Sequence, residues 1–233
     1  MPGVVLGVDG CRRGWVGARV ARNELTWVTL PHAGAAVASD ADAIGVDIPI
    51  GLPESGPRAC DRAARRLLSR RGVCVFPAPA RAVLTAVLTA RLTAGSYEQA
   101  CAASRAAIGT ALPRQSWNLV PKIIEWDALV DPELQRRVVE VHPEVTYAVS
   151  TGRPAPAKRS PAGVAARIAA LAAWLPGLAA TLAARPPGVA VDDALDAALA
   201  AWSAARWLSG QARVLPTGVP PRDRRGRFME IVA

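Results

Sequence analysis

Asp9 closes the apolar run Val4-Val5-Leu6-Gly7-Val8, and Asp47 closes a second run, Ala43-Ile44-Gly45-Val46. A third group of acids, Asp192, Asp193 and Asp196, opens a late helical stretch. An apolar strand that ends in one acid delivers a carboxylate to the edge of a sheet. Several carboxylates meeting at one point suit Mg²⁺ or Mn²⁺, because hard cations take oxygen ligands. In phosphoryl chemistry two such ions, about 3.5–4 Å apart, clamp the attacking and leaving oxygens of an in-line displacement. The pattern therefore points to Asp9, Asp47 and the group Asp192, Asp193 and Asp196 meeting in space to hold a divalent metal. Asp193 and Asp196 are three apart and share a helix face. Glu140, His142 and Glu144 alternate along an extended segment, with Glu144 a further ligand or the group that activates water and His142 a proton shuttle. Each acid also has a plainer use. A strand-end Asp makes turns, and Asp192 or Asp193 caps a helix.

The elements that must position these acids follow from periodicity. Val4–Val8 reads as a buried strand, and 15–22 and 25–30 as two more joined by tight turns, an antiparallel meander. Residues 33–39 form a short helix, and Ala43–Ile48 a fourth, buried strand. Pro49 and Pro53 prevent its continuation. A mostly helical insertion spans about 57–130. Gln135–Val141 is a fifth strand, and helices cover about 161–184 and 192–209, with Leu195, Leu199 and Trp202 facing the sheet. The result is an α/β chain, a mixed sheet flanked by helices, forming one domain over 1–215. The Arg-rich tail, 216–233, reads as poorly packed.

The chain's 233 residues suffice for a sizeable core, and 51% hydrophobic composition marks a globular chain. The net charge of +9 favours polyanionic partners, or reflects a solvated basic surface. The four cysteines contain no C-x-x-C pair, which argues against structural zinc. The first apolar run is short and ends in Asp9, so the reading is a cytoplasmic protein. Residues 168–184, broken by Pro176-Gly177, fall short of a membrane span.

Arg58, Arg62, Arg65, Arg66 and Arg70 recur at helical spacing, a basic stripe for successive phosphates or a solvated face. Arg12 and Arg13, in the turn after Asp9, are further phosphate contacts. Trp15, Trp27, Trp174 and Trp202 fall on apolar faces, which leaves Trp117 and Trp126 to stack bases.

The element order, with Asp9, Asp47 and Asp193-Ala194-Leu195-Asp196-Ala197, resembles the ribonuclease H-like superfamily. The D-x-x-D-A block is similar to that of its bacterial Holliday-junction resolvases. More narrowly, the chain resembles the DUF429 family of predicted ribonuclease H-like nucleases. The resemblance rests on Gly7-Val8-Asp9-Gly10-Cys11-Arg12-Arg13-Gly14-Trp15, Val46-Asp47-Ile48-Pro49-Ile50-Gly51-Leu52 and Val75-Phe76-Pro77-Ala78-Pro79. It continues through Lys122-Ile123-Ile124-Glu125, Glu140-Val141-His142-Pro143-Glu144 and Asp192–Ala197. It implies a five-stranded ribonuclease H-like mixed sheet, and Asp9, Asp47, Asp193 and Asp196 as ligands of Mg²⁺ or Mn²⁺. The resolvases lack the long helical insertion and the H-P-E block.

The leading expectation is a metal-dependent nuclease acting on RNA or DNA. Its catalytic groups are Asp9, Asp47, Glu144 and Asp193, with Arg12, Arg13, Arg58 and Arg62 on phosphate. The alternatives are a nucleotide-using phosphotransferase or ATPase of the same fold and a non-catalytic nucleic-acid-binding module.

Overall fold

A computed structural model describes residues 3–89 and 97–233 of the chain; residues 90–96 of the expected insertion lie outside it. β1 (Val5–Cys11), β2 (Gly14–Ala21) and β3 (Glu24–Leu30) form the expected meander. Its second turn is two residues long. Arg22 and Asn23 both adopt positive φ, 53° and 63°, the primed geometry whose twist matches flanking strands. After α1 (Ala33–Val37) the chain returns as β4 (Ala43–Val46), parallel to β1.

Between β4 and β5 lie α2 (Ala59–Leu68), α3 (Arg81–Thr89), α4 (Tyr97–Ile108) and α5 (Arg114–Leu129). β5 (Val138–Glu140) completes a five-stranded mixed sheet of order β3-β2-β1-β4-β5. Then follow α6 (Pro143–Thr151), α7 (Pro161–Leu171), α8 (Leu178–Thr181) and α9 (Val191–Leu208). The chain ends in a small hairpin, β6 (Val214–Leu215) with β7 (Ile231–Val232).

Strand alternation sorts the core. Leu6, Val8, Ile44 and Val46 point to one face and pack with Val120, Ile123 and Trp126 of α5. Val5 and Ala43 point to the other, with Val16, Ala18 and the α9 residues Ala194, Leu195, Ala198 and Leu199. The α/β architecture, a mixed five-stranded sheet flanked by helices, is consistent with a ribonuclease H-like fold.

Three expectations change. β5 is shorter than 135–141, because residues 134–136 form a 3-10 turn. Glu144 is not on a strand with Glu140. Pro143 sits at the first position of α6, where its missing N–H loses no bond, so the helix begins there. The segment 216–233 is packed: Ile231, Val232 and Ala233 are buried, and Val232 bridges to Val141 beside β5.

Candidate functional site

Asp9 and Asp47 stand side by side because β1 and β4 are in parallel register. Gly7 pairs with Gly45 and Val8 with Val46, and the Asp47 N–H donates to Val8 O at 3.0 Å. The two acids therefore share the sheet face that carries Gly7 and Gly45. Those glycines let α9 lie directly on the sheet. A Cβ on Gly7 would stand 2.0 Å from Ala197 O, and one on Gly45 2.4 Å from Ala200 O. From Ala197 back to Asp193 is about 6 Å along a helix. From Gly7 on to Asp9 is about 6.6 Å along a strand. The match brings the first turn of α9 over the strand-end acids.

Asp9, Asp47, Asp193 and Asp196 consequently line one cleft of about 350 Å³, with Glu144, His142, Lys122 and Lys158. Ile48, Val75, Phe76, Leu119 and Ile231 supply its apolar wall. The crowding of negative charge is severe. Burial, and then the charges of Asp47, Asp196 and Asp193, hold the Asp9 carboxyl well above its ordinary range. Burial and Asp196 push Asp47 up to about 8. Burial and Asp192 raise Asp193. Burial also raises Asp196, and Lys158 opposes it.

The local cations are unevenly shared. Lys158 Nζ lies 2.8 Å from Asp196 Oδ2 and 3.8 Å from Asp192 Oδ2, and Arg159 Nε 3.0 Å from Asp192 Oδ2. Among the described residues Asp192, Asp196 and Glu144 have ion-pair partners, while Asp9, Asp47 and Asp193 have none. Asp192, despite burial, is held below its ordinary value by Arg159 and Lys158, which makes it a structural acid.

No three His, Cys, Asp or Glu side chains among the described residues already stand at the spacing of one ion's ligand shell. The fit to a divalent cation is in donor chemistry. The set is carboxylate oxygen, its charge is under-compensated, and Glu144 Oε2 is buried with no hydrogen-bond partner. Those properties match Mg²⁺ or Mn²⁺ and not a thiolate- or imidazole-binding metal.

The H-P-E block divides its tasks. Glu140 is a structural acid. Its Oε1 accepts from Arg58 Nη2 at 2.6 Å, and its Oε2 from Arg58 Nη1 at 2.7 Å and the Ile50 N–H at 2.6 Å. Asp61 takes the other edge of the same guanidinium, at 2.6 and 3.1 Å. Burial works against the charge on Arg58, but Asp61 and Glu140 more than offset it and hold its pKa above normal. Arg58 is thus a buried clamp between α2, β5 and the loop after β4; its expected role on phosphate is corrected. Its charge is spent on two buried carboxylates.

Glu144 opens α6, and its Oε1 accepts from the fully buried Arg167 at 2.6 Å. Burial raises Glu144, and Arg167 and Arg71 oppose the rise. His142 faces the cleft with Nδ1 unpartnered, and burial lowers it to about 4, so the imidazole is neutral near pH 7.

The remaining candidates scatter. Arg12 and Arg13 are exposed in the β1–β2 turn. Arg62 is exposed on α2, its guanidinium donating to Pro57 O at 2.6 Å. The stripe is shorter than expected, because α2 ends at Leu68 and Arg70 falls in the 3-10 turn beyond it. Trp126 is 1% exposed and packs edge-on to Trp15, at 5.7 Å between centroids, so it stacks no base. Trp117 rests on Tyr97.

Lys158, Lys122 and Asp61 escaped sequence reasoning. Lys122 had a signal, its place in the Lys122–Glu125 block. Its Nζ donates to Gly14 O at 2.5 Å and lies 4.3 Å over the Trp15 ring, while Glu125 accepts from Trp15 Nε1 at 3.1 Å and the Ala33 N–H at 2.8 Å.

Fold and cleft together define an α/β protein with a carboxylate-lined cleft at the edge of a mixed five-stranded sheet. The chain belongs to the DUF429 family, described as a protein of unknown function, whose family model matches residues 7–220. No match was found among curated proteins or solved structures.

Proposed function

We propose that this protein is a Mg²⁺- or Mn²⁺-dependent nuclease of ribonuclease H-like type, acting on RNA or DNA in the cytoplasm. One observation carries the reading: parallel register sets Asp9 beside Asp47, and glycine contacts bring Asp193 and Asp196 of α9 into the same cleft. Asp9, Asp47 and Asp193 would hold the ion, with Asp196 beside them. When bound, a divalent ion supplies Lewis-acid stabilisation of charge developing on the phosphate.

The chain's own groups do the rest. Glu144 Oε2, free of partners and raised in pKa, accepts a proton from the attacking water. Neutral His142 relays protons between the cleft and solvent. Lys122 on the cleft wall, and Arg12, Arg13 and Arg62 on the surface, attract the phosphate backbone, in keeping with the net charge of +9. Phe76, 40% exposed on the rim, offers a face for one base. Free thiols at Cys11, Cys60, Cys74 and Cys101 suit a reducing compartment.

The test is cleavage of single-stranded, duplex, hybrid and branched substrates with Mg²⁺ or Mn²⁺, with Asp9→Asn as control. Metal-dependent cleavage lost in Asp9→Asn is expected. Absence of cleavage with either metal, or equal cleavage by the variant, overturns the reading.

A further inference from the structure

The segment between α6 and α7 carries the cleft's principal cation, and it is built to hold that cation in place. Ser160 caps α7, accepting from the Gly163 N–H at 3.0 Å. The Ser160 hydroxyl and N–H donate to Ala157 O at 2.8 and 3.0 Å. Gly163 permits the approach, because a Cβ there would stand 1.9 Å from Ala157 O. Arg167 Nη1 donates to Pro156 O at 3.2 Å. The backbone on the N-terminal side of Lys158 is therefore clamped to α7, and the side chain crosses to Asp196.

The Lys158 side chain is 41% exposed, and its ammonium is anchored 2.8 Å from Asp196 Oδ2 and 3.8 Å from Asp192 Oδ2. The four candidate ligands thus fall into two classes. Asp196 has an ammonium at 2.8 Å and the Arg167 Nε at 3.9 Å. Asp9, Asp47 and Asp193 have no such ion pair among the described residues.

We infer that the Lys158 ammonium is the site's built-in second cation, so that the cleft takes a single divalent ion at Asp9, Asp47 and Asp193 while Asp196 stays paired to Lys158. The inference rests on the metal-dependent reading above and specifies it. Lys158 is here a positioning residue. It orients Asp196 and compensates its charge, and it occupies the space in which a second ion would need that carboxylate.

The test is metal stoichiometry, read without catalysis. Mn²⁺ is titrated into the full chain and followed by calorimetry and by the loss of free-ion paramagnetic resonance. The wild type and Lys158→Arg are expected to bind one ion per chain. Lys158→Met, with Asp196 released, is expected to bind two. Two ions in the wild type, or one ion of unchanged affinity in a folded Lys158→Met, overturns the inference and leaves the nuclease reading standing. No Mn²⁺ bound by the wild type overturns both. The wild-type stoichiometry decides the matter even if Lys158→Met does not fold.

Discussion

At the scale of single residues, the cleft is electrostatically unfinished, and that gives its stability a definite pH dependence. Asp47 has an ordinary pKa of 3.8 and is pushed up to about 8 in the folded chain. Between those values the folded state holds more protons than the unfolded one, so stability falls as pH rises. His142 works the other way. Its pKa drops from 6.5 to about 4, so it adds stability as pH rises between them. Above pH 6.5 that contribution is complete, and the acids alone set the slope. Thermal melts in metal-free buffer should therefore show Tm falling from pH 6.5 to 8, with a shallower fall in Asp47→Asn; a flat wild-type profile refutes the assignment. Arg58 makes a second residue-scale prediction. Arg58→Met leaves Glu140 and Asp61 buried and unpaired, a loss of about 3–5 kcal/mol for a broken buried pair, measurable by urea unfolding. These two residues also mark what sequence makes visible. Asp47 was legible because a strand ending in Asp is a local pattern. Arg58 was misread because spacing shows which face of a helix carries charge, but not that Glu140, 82 positions away, is waiting to bury it.

At the scale of elements, the site depends on how closely α9 approaches the sheet. Strands and helices announced themselves through periods of two and 3.6, and the acids at their ends were found with them. The seating of α9 was also written in the chain, as glycines two residues before each strand-end Asp. That signal has meaning only once Gly7 and Gly45 are known to be register partners under one helix. The alternation of Glu140, His142 and Glu144 suggests one extended face, but the expected strand ends at Val141, and Pro143 starts a helix that carries Glu144. Gly7→Ala would place a methyl group 2.0 Å from the Ala197 carbonyl and 2.1 Å from the Ala201 nitrogen, both backbone atoms. Overpacking of this kind costs about 1–3 kcal/mol. Because the helix must move to relieve it, Gly7→Ala should also weaken the Mn²⁺ binding proposed for Asp9 and Asp193. Glycine-to-alanine changes at Gly56 or Gly210, which meet nothing within 4 Å, serve as controls. Their φ values are positive, 66° and 68°, so alanine there carries a backbone strain that Gly7→Ala lacks, without the clash. Equal Mn²⁺ affinity in Gly7→Ala and the controls would show that α9 seating does not set the site.

At the scale of the whole molecule, the last residues close the fold. Residues 216–233 suggest a loose basic tail only while their arginines are counted as surface charge. Arg227 is 1% exposed, and its Nη2 lies 2.7 Å from Asp127 Oδ1 and 2.6 Å from Asp223 Oδ2. Arg81 of α3 joins the same acids at 2.6 and 3.2 Å, and Arg225 reaches Asp127 at 3.0 Å. The network ties the C-terminal segment to α3 and to the end of α5. Beyond it, Ile231 lines the cleft and Val232 bridges to Val141, beside His142. Asp127 lies 100 positions before Arg227, a pairing no local pattern contains. The segment therefore belongs to the site's foundation. Arg227→Ala removes a buried cation from two buried carboxylates that keep Arg81 as a partner, and should lower stability by about 1–3 kcal/mol. Arg224→Ala, whose side chain is exposed, should change it by less than about 0.5 kcal/mol. Chemical denaturation of the two variants checks the contrast. Limited proteolysis adds a second readout: in Arg227→Ala, cleavage within 216–233 should come well before cleavage of the sheet. If the two variants unfold at the same denaturant concentration, the C-terminal segment is the loose tail its composition first suggested.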